Sequence, residues 1–393
     1  MIDWEQRAAR LVEVLTDGGT LTDPHWADVM QAVPRHAFVP RFYEQSPDQS
    51  GWEIVSEQTA PERWAEAIYS DRSLATELLS TPDVLDGYPI PISSSTMPSL
   101  MARMLELLDV GDGHRVLEIG TGTGYNAALL SQRVGAQQVT TVELHPGVAA
   151  AARDRLADLG QHPVVVVGDG TAGATHTAPF DRIIATCGAD QVPGAWVSQL
   201  GEGGRIVVDL RSESSSGLVV LDKIDPEHVS GRFVGHPGHF MWMRPDPRHS
   251  ALEPGTRQRP PARGGPSTVR RVVIGADDLG RPGLRTLLGI DMPDVEIPAA
   301  GARSLRAGDG SWATLDASDV TVTQGGPHRL WDRVETLAGI WQQLGSPDTD
   351  RYGVTVSAEG QHEYWIDTPS TALPDAVQPR TKRRHSPEVG SLR

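Results

Sequence analysis

The chain has 393 residues, enough for two or three ordinary domains. It holds 35 Lys and Arg against 51 Asp and Glu, a formal net charge of −16, which argues against partners that need a basic face, namely nucleic-acid phosphates and anionic lipids. Hydrophobic residues make up 38% and charged residues 22%, which is compatible with a packed core and excludes global disorder.

The cysteine count and the apolar runs indicate the compartment. Cys187 is the only cysteine, so no intramolecular disulfide can form. The first residues, 1–5, contain no apolar signal segment. No apolar run approaches the ~18 residues of a membrane span. The 13 histidines form neither His-Glu-x-x-His nor a cluster with cysteine. We therefore expect a cytoplasmic protein with no metal site and no membrane partner.

Residues 1–90 predict two short amphipathic helices. Apolar side chains recur three and four residues apart in 11–15 and again in 26–33, a spacing that places them on one helical face. Residues 45–68 are polar and irregular and predict no element.

Residues 91–245 alternate between strand-like and helix-like patterns. The short Val- and Ile-rich runs predict strands buried on both faces of a parallel sheet; they are Arg115–Ile119, Gln138–Val142, Pro163–Val167, Asp181–Ala185 and Gly204–Leu210. The stretches between them predict helices at Tyr125–Val134, Pro146–Leu159 and Pro193–Leu200. This rhythm predicts a doubly wound, Rossmann-like α/β sheet preceded by the N-terminal helices, in a first domain of residues 1–245.

The rest of the chain divides into three parts. Residues 246–267 are rich in Pro, Gly and Arg and predict an extended linker. Residues 268–368 predict a small α+β module, with one helical face that carries Trp331 and Trp341 and a hairpin formed by 352–356 and 362–366. We expect the two tryptophans to pack in the core of the module. Residues 369–393 are basic and Pro-rich and predict a disordered tail.

A glycine loop is the most informative segment. The apolar strand 116–119 leads into Gly120, Gly122 and Gly124, and a helix follows at once. Glycines at alternate positions permit a tight turn and let a ligand approach the backbone. The spacing is G-x-G-x-G, which differs from the G-x-G-x-x-G of dinucleotide sites and lacks the Lys of a P-loop. A dehydrogenase remains an alternative that this spacing disfavours.

Three carboxylates indicate which ligand the loop holds. Glu118 lies beside the glycines and suits a cationic amino group. Glu143 ends the next strand, where a carboxylate can accept both ribose hydroxyls. Asp169 ends the third strand, where a carboxylate can accept from the exocyclic amine of adenine. An aminoacyl group, a ribose and an adenine together describe S-adenosyl-L-methionine.

The same segments resemble a known family. The chain is similar to class I S-adenosylmethionine-dependent methyltransferases, and more narrowly to the protein-L-isoaspartate O-methyltransferase family, over about residues 5–245. The resemblance rests on the glycine loop, with Glu118 before it, and on five further segments, which are Val33–Pro40 (Val-Pro-Arg-His-Ala-Phe-Val-Pro), Tyr69–Leu74, Gly168–Gly170, Phe180–Thr186 and Leu200–Val207. The Pro-Arg-His-x-Phe-Val-Pro element is distinctive of this family.

The resemblance implies a role for each site residue. It assigns the cofactor to Glu118, Gly120, Thr121, Gly122, Gly124, Tyr125, Glu143, Asp169, Gly170 and Thr186. The family element that receives the acceptor carboxylate aligns with residues 94–100, so that the family serine falls on Thr96 and is preceded by Ser95. The alternative is that Ser93–Thr96 only caps a helix that begins at Pro98. Both roles are compatible, because a helix N-terminus also favours an anionic acceptor.

The implied reaction is O-methylation of an aspartyl or isoaspartyl carboxylate in a peptide or protein, with an ester that leads to a succinimide (aspartimide). The altered acceptor element and the extra module resemble family members encoded beside ribosomal peptides such as lanthipeptides and graspetides. This favours a modified precursor peptide as substrate, with general isoaspartate repair as the alternative, and makes the module a candidate for binding that peptide. A non-catalytic binding protein that kept the fold is a further alternative, which the intact cofactor residues oppose.

Overall fold

The computed structural model describes residues 2–48, 51–79, 88–244, 266–297 and 303–377. Within these ranges the chain divides into two compact units. The first comprises the described residues among 1–211, 216–262 and 348–372, and the second comprises those among 212–215, 263–347 and 373–393.

The first unit begins with helices and a small antiparallel sheet. The helices are α1 (Trp4–Asp17), α2 (Pro24–Ala32), α3 (Arg35–Phe38) and α4 (Pro61–Ile68). The strands are β1 (Arg41–Gln45), β2 (Trp52–Ser56), β3 (Leu74–Leu79) and β4 (Ile90–Ser95), in the order β2-β1-β3-β4. The two predicted helices are confirmed, and the side chains of Asp3 and Asp23 cap them. The sequence predicted nothing between 45 and 68, where β2 and α4 form.

A nine-stranded mixed sheet is the centre of the first unit. Its first seven strands are β5 (Val116–Ile119), β6 (Val139–Glu143), β7 (Val164–Val167), β8 (Phe180–Ala189), β9 (Leu200–Arg211), β10 (Ser216–Asp225) and β11 (His228–Phe233). The helices are α5 (Pro98–Leu108), α6 (Tyr125–Val134), α7 (Pro146–Asp158) and α8 (Gly194–Gln199). The strands β7-β6-β5-β8-β9 run parallel, which confirms the predicted α/β sheet, and β10 and β11 continue it in antiparallel fashion.

The strand order positions the functional site. The chain passes from β5 to β6 and β7 on one side and then returns to place β8 on the other side of β5. Ligands of such sheets bind at the carboxyl ends of the strands, where the order reverses. The glycine loop follows the carboxyl end of β5, and Glu143 is the last residue of β6.

The second unit is built on an antiparallel sheet of five strands. Its elements are β12 (Ser267–Arg271), α9 (Ala276–Leu279), α10 (Pro282–Asp291), β13 (Val295–Glu296), β14 (Ser304–Ala307), β15 (Trp312–Leu315), β16 (Thr321–Gly325) and α11 (Leu330–Gln343), with the strand order β12-β16-β15-β14-β13. Trp331 is fully buried, and Trp341 is 8% exposed and donates to the Pro347 carbonyl at 2.9 Å. Both tryptophans therefore pack in the core, as the sequence predicted.

The predicted hairpin forms, but it lies outside the module to which the sequence assigned it. Strands β17 (Tyr352–Ser357) and β18 (His362–Ile366) pair with each other, and β17 also pairs with β11 of the large sheet. Val354 and Val356 are completely buried because β17 has a partner on both sides. The boundary at residue 368 is thus corrected, since residues 348–372 belong to the first unit.

Two other predicted segments are only partly described. The linker at 246–267 lies outside the described residues except for its last two positions, and Ser267 already begins β12. In the predicted tail, Ala372 bridges to Trp365, and Leu373 and Val377 are buried, so residues 369–377 are ordered. Residues 378–393 lie outside the described part of the chain. None of the helices in the described ranges has the length and apolar character needed to cross a membrane.

Candidate active site

A cavity opens at the carboxyl edge of the large sheet, within the first unit. Its walls come mainly from β4 with the following Thr96, the end of β5 with the glycine loop and the start of α6, the ends of β6 and β8, and residues 240–244. Of the predicted cofactor residues, all line this cavity except Gly124 and Asp169. The two predicted acceptor residues, Ser95 and Thr96, also line it.

Glu118 is buried at the base of the cavity. Its Oε1 accepts from Asn126 Nδ2 at 2.7 Å and its Oε2 accepts from the Thr141 hydroxyl at 2.7 Å. Burial raises the pKa of Glu118 to about 7, and the nearby Glu143 carboxylate acts in the same direction. The site therefore holds a carboxyl group whose ionised form gains stability from any cation that binds beside it.

Asn126 is a site residue that the sequence analysis missed. It lies on the first turn of α6, lines the cavity and is 7% exposed. Its Nδ2 donates to Glu118, while its buried Oδ1 has no hydrogen-bond partner among the described residues. Because a buried acceptor without a partner is costly, this oxygen is suited to a donor on a ligand.

The glycine loop is tied to Glu143. The loop residue Gly122 donates its N–H to Glu143 Oε2 at 2.9 Å, and His145 N donates to Oε1 at 3.0 Å. Each carboxylate oxygen keeps a further lone pair toward the cavity. Position 120 requires glycine for two reasons. Its φ is +97°, and an added Cβ would lie 2.9 Å from Thr186 Oγ1.

Asp169 is placed differently from the other carboxylates. Its oxygens accept from Thr171 N at 2.9 Å and from the Thr171 hydroxyl at 2.7 Å, so it caps the turn that begins at Gly170. Gly170 itself lines the cavity, and an added Cβ there would lie 2.5 Å from Ile119 Cγ2. The cavity is thus narrow at this point because the backbone of residue 170 approaches β5.

Thr186 and Cys187 form the wall contributed by β8. The Thr186 hydroxyl donates to the Gly120 carbonyl at 2.7 Å and so fixes the loop against the strand. Burial raises the pKa of the Cys187 thiol to about 12, which keeps it protonated and unreactive at neutral pH.

Arg35 holds the side of the cavity formed by Ser95 and Thr96, which we call the acceptor wall because the sequence predicts that these two residues receive the acceptor; the sequence did not reveal this role of Arg35. Its guanidinium is fully buried and donates to the carbonyls of residues 68, 70, 72 and 96 at 2.7 to 3.2 Å. It also donates to Ser95 Oγ through Nε at 3.2 Å and through Nη2 at 3.1 Å. Ser95 therefore anchors Arg35, whereas the Thr96 side chain makes no hydrogen bond with the described residues.

The prediction that Ser93–Thr96 caps α5 is wrong. These residues belong to β4 or follow it, and the N-cap position is Met97, whose side chain makes no capping bond. The first turn is served instead by Asp71, which accepts from Ser99 N at 2.8 Å, and by Ser73, which accepts from Met97 N at 3.1 Å. Because a carboxylate already occupies this helix start, it is a poor site for an anionic acceptor.

Residues 240–244 cover the cavity, and we call them the closing segment. Gly188 N donates to the Met241 carbonyl at 2.8 Å, and Met243 N donates to the Gly188 carbonyl at 2.7 Å, so the segment adds to the end of β8. Asp209 accepts from Phe240 N at 3.1 Å, and Arg211 stacks on Trp242 with its Cζ 5.0 Å from the ring centroid. These contacts fix one wall of the site far along the chain from the glycine loop.

Comparison with known proteins assigns the fold and the site to a family. The sequence model of the protein-L-isoaspartate(D-aspartate) O-methyltransferase family matches residues 6–236, more than half of the chain. The chain belongs to this family. It is therefore an S-adenosylmethionine-dependent methyltransferase, as the resemblance of its sequence motifs implied.

Individual relatives agree with the family match. A protein-L-isoaspartate O-methyltransferase of Koribacter versatilis is 41% identical over 146 residues, which cover 36% of this chain and 65% of the relative. One of Methanopyrus kandleri is 33% identical over 232 residues, which cover 58% of this chain and 86% of the relative. A solved structure of a protein-L-isoaspartate O-methyltransferase has a TM-score of 0.52 at 24% identity and covers 91% of this chain and 99% of its own, which shows the shared fold.

Proposed function

We propose that this protein methylates an aspartyl or isoaspartyl carboxylate of a peptide or protein. The observation that carries the proposal is that one cavity joins the glycine loop to the acceptor strand. A Cβ added at Gly122 would lie 3.6 Å from Ser93 Oγ and 3.7 Å from the Ser94 carbonyl. A methyl donor held by the loop and a carboxylate held by the strand would therefore meet within one enclosed site.

The cavity residues fit S-adenosylmethionine. The unpartnered Asn126 Oδ1 can accept from the cofactor's amino group, and Glu118 supplies negative charge beside it. Glu143 keeps lone pairs for the ribose hydroxyls. The polar groups of Gly170 and the neighbouring Asp169 would define the adenine end, although the Asp169 oxygens are engaged by Thr171.

The main task of the protein in this reaction is to align the acceptor oxygen with the methyl group. When bound, the cofactor supplies a methyl group on a sulfonium, and transfer forms a carboxylate O–C bond while the S–C bond breaks to leave a neutral thioether. A carboxyl group with a reference pKa of about 4 is ionised at neutral pH and needs no general base. The residues of the acceptor wall would therefore act by positioning the oxygen in line with the methyl group.

The names of the relatives support an isoaspartyl acceptor. Both relatives described above are called protein-L-isoaspartate O-methyltransferase. Two features favour the alternative, an ordinary aspartate in a modified ribosomal precursor peptide. These are Ser94-Ser95-Thr96 in the acceptor strand and the second unit, which lies beyond the family match.

Paired peptides test both the reaction and the choice of acceptor. The protein and S-adenosylmethionine are incubated with linear and macrocyclic peptides that contain either Asp or isoAsp. Mass spectrometry then follows the gain of a methyl group and the later loss of methanol that forms the succinimide. Methylation of linear isoAsp peptides alone would support repair and eliminate the precursor-peptide alternative. If no peptide gains a methyl group, the proposed function is wrong.

Thr96 provides a prediction for the acceptor wall. Thr96→Val removes the hydroxyl while keeping the branched shape, and we expect kcat/KM for the peptide to fall about fivefold, since one hydrogen bond contributes about 1 kcal/mol. The affinity for S-adenosylhomocysteine, measured by calorimetry, should not change. Thr96→Ser is the matched control and should retain most of the activity. Unchanged turnover in Thr96→Val would assign the residue no role in acceptor binding.

We also infer that the second unit contributes to binding of longer peptides. Strand β12 lies at the edge of its sheet, and Val269, Val273 and Val320 are 66%, 85% and 45% exposed beside it. Val269 is the apolar residue of β12, which reads Ser-Thr-Val-Arg-Arg. An exposed edge strand can add a strand from a partner, and a further cation on the edge opposes this. Val269→Lys is therefore expected to raise the KM of a long peptide severalfold and to leave that of a short one unchanged. If the wild type and Val269→Lys have equal KM values for the long peptide, the second unit has no such role.

A further inference from the structure

The proposed acceptor is an anion, and the cavity that must receive it is acidic. Glu118 and Glu143 line it, and the whole chain carries a net charge of −16. The N-terminus of α5 is not available for charge compensation because Asp71 occupies it. Arg35 lies outside the cavity lining, and its donors are engaged by backbone carbonyls and Ser95. Besides the sulfonium of a bound cofactor, a cation supplied by the protein would favour entry of a carboxylate into this cavity.

Arg244 is the one cationic residue that lines the cavity among the described residues. It ends the closing segment, and its Nη2 donates to the Ile92 carbonyl on β4 at 3.0 Å. This bond joins the closing segment to the strand that carries Ser94 and Ser95, and so it places the guanidinium beside the acceptor wall.

The second terminal nitrogen of Arg244 has no partner in the part of the chain that the structure describes. Its Nη1 is buried and makes no hydrogen bond with any described residue. Burial lowers the pKa of this guanidinium while the Glu143 carboxylate opposes the shift, and an arginine remains charged at neutral pH. A buried cationic donor without an acceptor is unfavourable, so an anionic ligand is the group that would satisfy it.

We propose that Arg244 binds the acceptor carboxylate through Nη1. The inference rests on the proposed function, because it concerns the same site. One carboxylate oxygen is held by the guanidinium, and the other remains free to attack the methyl group. Arg244 is then a determinant of specificity that admits peptides with an ionised acceptor and disfavours those whose acceptor is neutral.

Two variants and two peptides test this assignment. Arg244→Gln keeps a polar side chain but removes the charge, and Arg244→Lys keeps the charge. For the peptide that the wild type methylates, we expect KM to rise about tenfold in Arg244→Gln and less in Arg244→Lys. The affinity for S-adenosylhomocysteine should stay within about twofold of wild type in both. A peptide whose acceptor carboxylate is replaced by an amide should inhibit the wild type and Arg244→Gln equally.

The outcomes separate this proposal from the proposed function. If the wild type methylates no peptide, both are wrong. If it does so and Arg244→Gln has the wild-type KM, only the role of Arg244 is overturned. A loss of S-adenosylhomocysteine affinity that matches the rise in KM would also overturn it, because Arg244 would then hold the cofactor. The amide peptide lacks the charge that Arg244 is proposed to bind. If this peptide inhibits Arg244→Gln less than the wild type, Arg244 has only a structural role.

Discussion

Arg35→Met is expected to lower the free energy of unfolding by about 3–5 kcal/mol, because it removes a fully buried cation that satisfies several backbone acceptors at once. The carbonyls of Ile68 and Thr96 and the hydroxyl of Ser95 would lose their donor inside the protein. Each buried acceptor left without a partner costs about 1–3 kcal/mol, and part of this is recovered where water enters. Urea denaturation followed by fluorescence measures the change.

The same variant should also impair methylation. Arg35 joins the carbonyls of residues 68–72 to those of 95 and 96, so its loss would let the acceptor strand shift relative to the glycine loop. A displacement of this wall affects the alignment on which the reaction depends. We expect kcat/KM for the peptide to fall by more than the affinity for S-adenosylhomocysteine.

Two control variants make the Arg35 result interpretable. Arg35→Lys keeps a charge but has fewer donors in a different geometry, and it should lose less stability than Arg35→Met. Arg41→Met removes an arginine whose side chain is 51% exposed and 3.8 Å from Glu77, and it should change the free energy of unfolding by less than about 1 kcal/mol. Equal stability of Arg35→Met and Arg41→Met would contradict the assigned role.

Glu118→Gln is expected to weaken the binding of S-adenosylmethionine about 10- to 100-fold. The change is nearly isosteric, so the contacts with Asn126 and Thr141 can be kept while the charge beside the bound amino group is lost. Isothermal calorimetry at pH 8 measures the affinity. Glu62→Gln replaces a carboxylate that is 87% exposed and should have no effect.

Although Glu118→Gln should weaken cofactor binding, it should make the cofactor-free protein more stable than the wild type at neutral pH. The pKa of Glu118 is raised to about 7 from an ordinary value of 4.5. Between these values the folded state holds a proton that the unfolded state has released, so the wild type loses stability as the pH rises through this window, by about 3 kcal/mol in total. Glu118→Gln does not titrate and should not show this loss.

Thermal unfolding at several pH values checks the linkage. The free energy of unfolding of Glu118→Gln minus that of the wild type should rise steadily from pH 5 to about pH 7 and stay constant above it. For the wild type, the affinity for S-adenosylmethionine should increase over the same window, because the ionised carboxylate is the form that favours a cation. Parallel pH profiles for the two proteins would show that Glu118 does not titrate there.

Much of the fold could be predicted because its signals are local. The helix at Tyr125–Val134 was predicted to its boundaries, and the parallel strands were placed within a few residues. Each of these elements is specified by the apolar spacing of a short segment, which a sequence shows directly. The hairpin of β17 and β18 was also located, but its pairing with β11 joins segments more than 100 residues apart, for which the sequence carries no local signal.

Capping of α5 failed as a prediction for the same reason. Ser93–Thr96 and Pro98 together are typical of a helix start. The structure uses Asp71, which lies 28 residues before Ser99, because the turn around residue 71 brings its carboxylate to the helix. The preference of an element for a cap is local, whereas the residue that provides the cap is decided by packing.

The sequence by itself predicted the cofactor side of the site. Residues 116–125, together with the carboxylates that end consecutive strands, specify an S-adenosylmethionine fold because parallel strands bring their carboxyl ends to one edge of the sheet. Only the tertiary structure decided the acceptor side. Arg35 and Arg244 contact carbonyls of distant segments, which become their neighbours only when the chain folds. A buried charge is therefore understood from its surroundings, and these exist only in the folded chain.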